Sequence, residues 1–261
     1  MTWQATASAV LDVNAVPILV DIDPETYTID PRKIEEAVTI RTKCIIPVHL
    51  YGRMADMDAI ISIANKYKLH VIEDTSHQHG SIWKDKPAGS IGDIGTFSLQ
   101  SSKILNSGEG GLIITQNKRY YELLMSLVSC GRKLSDESPT MQSGNYRLTE
   151  FQAAIALTQL SRLDEHNKVR EANARYIEDS ISDIKGLRPM YHNPNITFQT
   201  YYNFTLRYAL PIGMMSIGMC LSGHKKMILY KCVLAKSIGK QRVTNMFLSG
   251  KKADGYPSAF L

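Results

Sequence analysis

Short apolar runs alternate with segments of helical period through the first half of the chain. PILVDID (17–23), KCIIPVHLYG (43–52), HVIEDT (70–75), GTFSLQ (95–100) and GGLIIT (110–115) have strand length and composition. Between them lie DPRKIEEAV (30–38), MDAIISIANKYK (57–68) and, further on, YYELLMSLV (120–128), with helical spacing. Strand-length runs interrupted by helices leave few architectures open. The pattern predicts an α/β domain whose mostly parallel sheet is flanked by helices. In such sheets ligands gather at the carboxyl ends of strands. Asp74 lies at one such end, and Lys103 lies just after another.

The helix starts carry their own signals. Asp30 can cap the segment that Pro31 opens, and Thr149 can cap the next long pattern. That pattern runs from Leu148 to Ile181 and predicts a connecting or interface helix, with room for one break where polar residues increase after Asp164. Phe151, Ile155, Leu160 and Leu163 fall on an apolar stripe, which reads as plain core packing. No internal repeat is present.

The net charge of +5 invites a nucleic-acid reading until it is located. Eight of the 30 basic residues and one of the 25 acidic ones lie in 209–261, which leaves the first 208 residues at net −2. The body gives no electrostatic reason to expect nucleic acid. No apolar run reaches the roughly 18 residues that span a bilayer, so no membrane partner is expected. MTWQATASAV has no basic start of the signal-peptide kind. Cys44, Cys130, Cys220 and Cys232 lie far apart and form no CxxC pair. Neither a metal site nor a disulfide framework is expected, and a reducing, cytoplasmic setting fits.

Lys103 sits between two apolar runs, beside the glycine-rich GEGG (108–111). By itself it reads as a solvated turn lysine. A lysine in a partly buried polar pocket has a lowered pKa and can form a Schiff base with a carbonyl. Pyridoxal phosphate chemistry would further need an acid at the pyridine nitrogen and donors for the phosphate. Asp74 can be that acid, His77 follows three residues later, and Ser98 can donate to phosphate. His79 reads as structural. Each signal is weak alone, and their order along the chain is stronger.

With those residues in place the chain resembles the DegT/DnrJ/StrS family of pyridoxal-phosphate-dependent sugar aminotransferases. The resemblance rests on EDTSHQHG, then GDIGTFSLQSSK, then GEGG. It extends through TWQATASAV, VDIDPETYTIDPRKIEEAV, IIPVHLYGRMADMDAI and SGNYRLTEFQAAIALTQL, over about residues 2–208. It implies the large domain of the aspartate aminotransferase fold (fold type I). Lys103 is implied to be the catalytic lysine that holds the cofactor and moves protons. Asp74 is implied at the pyridine nitrogen, His77 near the ring and its hydroxyl, Ser98 at the phosphate and Trp3 stacked on the ring. Asn145 is implied to reach the phosphate of the neighbouring subunit of a homodimer. Retention of the lysine favours transamination over the dehydration catalysed by relatives with histidine there. The GEGG form is similar to the branch acting on keto-inositols, with glutamine or glutamate as donor.

The resemblance also sets expectations for organisation. Residues 1–184 are expected to be a partial cofactor-binding large domain with the long helix, and 185–208 the start of a small C-terminal domain. Residues 209–261 are expected to form a divergent basic tail, either packed on something else or disordered. The fold is thus expected to be incomplete at both ends. The leading function is transfer of an amino group from glutamate or glutamine to a nucleotide-linked keto-sugar or a keto-cyclitol. The competing one is an inactive truncated relative that at most binds pyridoxal phosphate or pairs with a full-length chain.

Overall fold

The computed structural model describes residues 1–133, 135, 138–210, 213–220 and 228–234. Helix α1 (Gln4–Asp12) opens the chain. Helix α2 (Pro31–Ala37) starts as its sequence asks: the Asp30 carboxylate accepts from Arg32 N–H, and Pro31 takes the first turn. Strand β1 (Cys44–Ile45), helix α3 (Met57–Tyr67) and strand β2 (His70–Asp74) then form a β-α-β unit with the two strands parallel. Pro47 has no N–H, so regular pairing stops at Ile45, yet the ladder continues beside it. Asp74 N–H donates to Pro47 O at 2.9 Å, and His49 N–H donates to Asp74 O at 3.0 Å.

A short hairpin, β3 (Ile82–Trp83) and β4 (Lys86–Pro87), leads to β5 (Ile94–Ser98), which pairs in parallel with β2. Strand β6 (Gly111–Ile114) runs antiparallel to β5 and forms the edge of the sheet, in the order β1-β2-β5-β6. Three strands are therefore parallel and one edge strand is reversed, as the α/β reading allows. Gly95 of β5 lies against the backbone of Gly89 so closely that a Cβ would overlap the Gly89 carbonyl.

Helices α4 (Lys118–Val128), α5 (Glu150–Leu160) and α6 (Leu163–Ile181) follow. The 148–181 pattern is thus broken once, at Ser161 and Arg162. Thr149 closes a capping box with Gln152 at the start of α5. Strands β7 (Leu187–Pro189) and β8 (Ile196–Phe198) come next, and β8 joins β3. Strand β9 (Phe204–Leu210) then pairs antiparallel with both β7 and β10 (Gly213–Cys220), and β10 pairs with β11 (Ile228–Leu234). Of the basic tail expected over 209–261, only the backbone of the last two residues of β9 and of β10 and β11 is described, and the rest lies outside the described residues.

The main core lies where α2 and α3 cover the sheet, with Ile34, Ile45, Met57, Ile60, Val71 and Trp83 at its centre. Each such side chain contributes about 1.5–3 kcal/mol when fully buried. A second cluster joins Ala174 and Ile181 of α6 to Tyr201, Phe204 and Leu206. It fixes the turn before β9 against the body of the protein.

Two expectations fail. PILVDID is not a strand: Ile18 and Leu19 are exposed, and only Ile22 makes an isolated bridge, to Ile29. A strand exists through its ladder, and beyond the backbone bonds of residues 21–23 to residues 28–30 no neighbour among the described residues pairs with this run. The apolar stripe of α5 is not core either. Leu163 is buried, but Phe151 is 86% exposed and Ile155 and Leu160 are about half exposed. Leu163, at the start of α6, packs with Leu99 and Leu105, whereas the α5 residues of the stripe are left exposed among the described residues.

Candidate functional site

The last residue of β2 is the anchor of the site. Asp74 sits in a half-buried position where the strand ends, and three hydroxyl or amide groups define its carboxylate. Thr6 of α1 donates its hydroxyl to Oδ2 at 2.7 Å. Ser76 donates both its hydroxyl, at 2.7 Å, and its N–H, at 3.2 Å, to Oδ1. The backbone of Asp74 is pinned on both sides, by the Pro47 and His49 bonds described above and by its register opposite Thr96 of β5. Helix α1 buries no residue of its own. The Thr6 bond is what ties it to this strand end.

The residue before Asp74 builds the platform beneath it. Glu73 is fully buried and its carboxylate takes four donors: His49 Nε2 at 2.9 Å, Gly89 N at 2.9 Å, Ile91 N at 2.7 Å and Gly92 N at 2.6 Å. Burial pushes the Glu73 carboxyl up, but the His49 hydrogen bond and charge and the Gly92 and Gly89 amides outweigh it and hold the group below its ordinary range. His49 is equally buried, and its Nδ1 accepts from Ala55 N at 3.1 Å. Its ring proton is therefore on Nε2, shared with Glu73. One carboxylate thus ties together the β1–α3 loop, β2 and the loop before β5.

Lys103 stands on a turn closed at both ends. Leu99, fully buried, donates its N–H to Gly110 O and accepts from Ser107 N–H, both at 2.9 Å. Lys103 N–H donates to Gln100 O at 2.9 Å, which completes the turn. The Lys103 ammonium lies 5.2 Å from the centroid of the Tyr202 ring. Burial lowers its pKa, and the charge of Asp74 offsets this only in part. A lysine shifted this way carries a larger fraction of free amine at neutral pH, which is what a nucleophile needs.

His77 lies between these groups. Its ring stacks on Tyr202 with centroids 4.0 Å apart and planes at 13°, and the Tyr51 ring lies 6.1 Å away at 11°. Burial, then the charge of Lys103, lowers the His77 pKa to about 3, against the pull of Asp74. His79, two residues on, is buried. Its Nε2 donates to Ser98 O at 2.9 Å, and burial lowers its pKa to about 4. Its backbone carbonyl accepts from Asn167 of α6 at 2.9 Å. His79 therefore has the structural role that its sequence context suggested.

The fold brings Asp74, His77 and Lys103 into one electrostatic neighbourhood. Ser98 borders it through His79, and its hydroxyl accepts from Gln100 N–H at 3.3 Å. Trp3 precedes α1, the helix whose Thr6 bonds Asp74, and is 70% exposed. Asn145 is exposed on the loop between α4 and α5, where its Oδ1 accepts from Arg147 N–H at 3.2 Å. Sequence reasoning missed Thr6, Tyr51 and Tyr202. The aromatic pair in YYNF was the available signal for Tyr202, but nothing local ties it to HLYG or to SHQH.

The donor set has the chemistry of a pyridoxal phosphate site. A half-buried amine of lowered pKa faces an aspartate whose oxygens retain lone pairs, beside a flat imidazole and a serine hydroxyl. Among the described residues no group of three or more His, Cys, Asp or Glu is placed to hold a metal ion. No helix among them is long and apolar enough to cross a membrane.

Known proteins match this chain in sequence and in fold. The model of the DegT/DnrJ/EryC1/StrS aminotransferase family matches residues 1–211. The L-glutamine:2-deoxy-scyllo-inosose aminotransferase of Streptoalloteichus tenebrarius is 41% identical over 213 residues, covering 77% of this chain and 50% of that protein. Among solved structures, 3-amino-5-hydroxybenzoic acid synthase superposes with a TM-score of 0.75 at 34% identity, covering 79% of this chain and 55% of that one. The E. coli GDP-4-keto-6-deoxy-D-mannose-3-dehydratase, solved with bound hydrated PLP, superposes with a TM-score of 0.74 at 26% identity, over 82% of this chain and 59% of that one. The chain spans about half the length of the curated relatives it matches. Family match, fold and the order of Asp74, His77 and Lys103 agree, and the chain belongs to the DegT/DnrJ/EryC1/StrS aminotransferase family.

Proposed function

We propose that this chain is the cofactor-holding part of a pyridoxal-phosphate-dependent aminotransferase that moves an amino group from glutamine or glutamate to a keto-cyclitol or a nucleotide-linked keto-sugar. The observation that carries the reading is Lys103: half-buried, lowered in pKa and placed with Asp74 around His77. The likeness to an L-glutamine:2-deoxy-scyllo-inosose aminotransferase supports the donor and the cyclitol class.

When bound, pyridoxal phosphate supplies an electron sink that lets a proton leave the carbon beside the transferred nitrogen. The chain's own groups do the rest. Lys103 would hold the cofactor's carbonyl carbon through its amine and would carry protons to and from the reacting carbons. Asp74, with its oxygens fixed by Thr6 and Ser76, keeps the pyridine nitrogen protonated. Ser98 would bind phosphate, His77 would stand near the ring hydroxyl and Trp3 would stack on the ring. Residues 1–184 form the cofactor-binding body and 185–208 begin a second domain. In a homodimer Asn145 reaches the neighbour's phosphate. The exposed apolar residues of α5 support such a pairing. The unpaired thiols of Cys44 and Cys130 support a reducing, cytoplasmic setting.

The test is spectroscopic. Purified chain supplied with pyridoxal phosphate acquires the visible absorption of a lysine-bound cofactor, and Lys103→Ala loses it. A wild-type chain without that band overturns the reading. Amino transfer from glutamine to 2-deoxy-scyllo-inosose then tests the substrate class.

A further inference from the structure

His77 is held more tightly than a cofactor neighbour needs to be. The Tyr51 N–H donates to His77 Nδ1 at 3.3 Å. A ring nitrogen that accepts a hydrogen bond carries no proton, so the proton of the neutral ring is on Nε2. Among the described residues Nε2 has no hydrogen-bond partner. Tyr202 stacks on the ring at 4.0 Å between centroids, and the Tyr51 ring lies 6.1 Å away, both within 13° of parallel.

The backbone that presents these tyrosines is strained and interlocked. Tyr51 (φ 57°) and Tyr201 (φ 49°) occupy the left-handed region, which side chains other than glycine rarely adopt. Such outliers collect at functional sites when the surroundings hold them in place. Asn203 N–H donates to Tyr51 O at 3.2 Å. Gly52, at φ +98°, packs so close that a Cβ there would come within 2.9 Å of Tyr201 Cα and of the Tyr201 and Tyr202 nitrogens. The loop after β1 and the turn before β9 are thus fastened together, and each brings a tyrosine ring to His77.

We propose that Tyr51 and Tyr202 are positioning residues that lock His77 as the neutral Nε2–H tautomer, a fixed hydrogen-bond donor to the cofactor's ring oxygen and not a proton carrier. The groups facing His77 agree with this. Lys103 and His79 oppose a charge on it, and Asp74 alone favours one. Tyr51 and Tyr202 supply rings and, from Tyr51, an amide that only an unprotonated Nδ1 can accept. The lock stands on the geometry. The donor role rests on the proposed function.

The experiment is a long-range proton–nitrogen correlation spectrum of the full chain with labelled histidine, read without cofactor between about pH 5 and 8. The chain has seven histidines, and the set of signals lost in His77→Gln assigns the ring. The expected result is an Nε2–H pattern that does not titrate. An Nδ1–H pattern, or a titration in that window, overturns the lock. Tyr202→Phe keeps the stack and keeps the pattern. Tyr202→Leu removes the ring stack and brings the His77 titration up into the window; unchanged behaviour there removes Tyr202 from the proposal. With cofactor loaded, His77→Gln retains the position of the visible band and His77→Leu moves it, and equal bands overturn the donor role. Absence of any band in the wild type overturns the proposed function and the donor role together, while the ring spectra still decide the lock.

Discussion

The Glu73 carboxylate accepts the Nε2 proton of His49 at 2.9 Å, and both side chains are fully buried. Asp74, the next residue, inherits its position from this pair, since Glu73 also takes the amides of Gly89, Ile91 and Gly92. Removing the carboxylate leaves those amides and the imidazole buried without partners. Glu73→Ala should therefore cost about 3–5 kcal/mol, as breakage of a buried charged network does. Urea unfolding measures it. A loss below 1 kcal/mol would show that the network does not hold the sheet.

The pH dependence of stability should show two windows. His77 and His79 titrate at about 3 and about 4 in the folded chain. An unfolded histidine binds its proton near about pH 6.5. The unfolded state thus gains protons first, and stability should decline as the pH falls below about 6.5. Glu73 acts lower down: its folded pKa is depressed, so its contribution is present above the usual carboxylate range and lost as the pH falls through it. Urea midpoints at steps from pH 7.5 to 4 check this, and His77→Gln should flatten the upper window (pH values chosen to bracket about 6.5).

Thr6 contributes one of the hydrogen bonds that aim Asp74. Thr6→Val removes the donor and keeps the shape. A hydrogen bond to a charged group is worth about 1.5–3 kcal/mol, so cofactor retention should weaken by about tenfold or more. Spectral titration with pyridoxal phosphate reads it, with thermal stability as the control.

Lys103 is a group held against its preference. Its charged form is disfavoured by burial, a cost present at neutral pH and relieved only as the pH rises through its lowered folded pKa. Lys103→Met should therefore raise the melting temperature at pH 7 while abolishing the cofactor band. A lowered melting temperature would mean that the lysine is held by contacts of net benefit.

Gly52→Ala should separate the two fastened loops. The position has φ +98° and the added carbon meets backbone, which has little freedom to move away. The expected cost is about 1–3 kcal/mol, together with loss of the ring-current shifts that Tyr202 imposes on His77. Both can be read from one sample by thermal unfolding and proton spectra.

Much of this protein is legible in one pass along the chain, because it depends on neighbours in sequence. Asp30 and Pro31 start α2 and Thr149 starts α5 as their types demand. HVIED forms the strand whose last residue is Asp74. The order of Asp74, His77, Ser98 and Lys103 carries the family, and with it the fold. What the sequence could not decide are relations between distant segments. PILVDID has the composition of a strand, but composition cannot supply the neighbour that pairs with it. The α5 stripe has the period of a core helix, but period does not say which face meets a partner. Tyr51, His77 and Tyr202 stand in three separate motifs, and only packing of α6 against the Tyr201 turn and of Gly52 against Tyr202 stacks their rings. Local propensity acts over a few residues, whereas ring stacking and the tautomer of His77 are set by contacts that close only when the whole chain is folded.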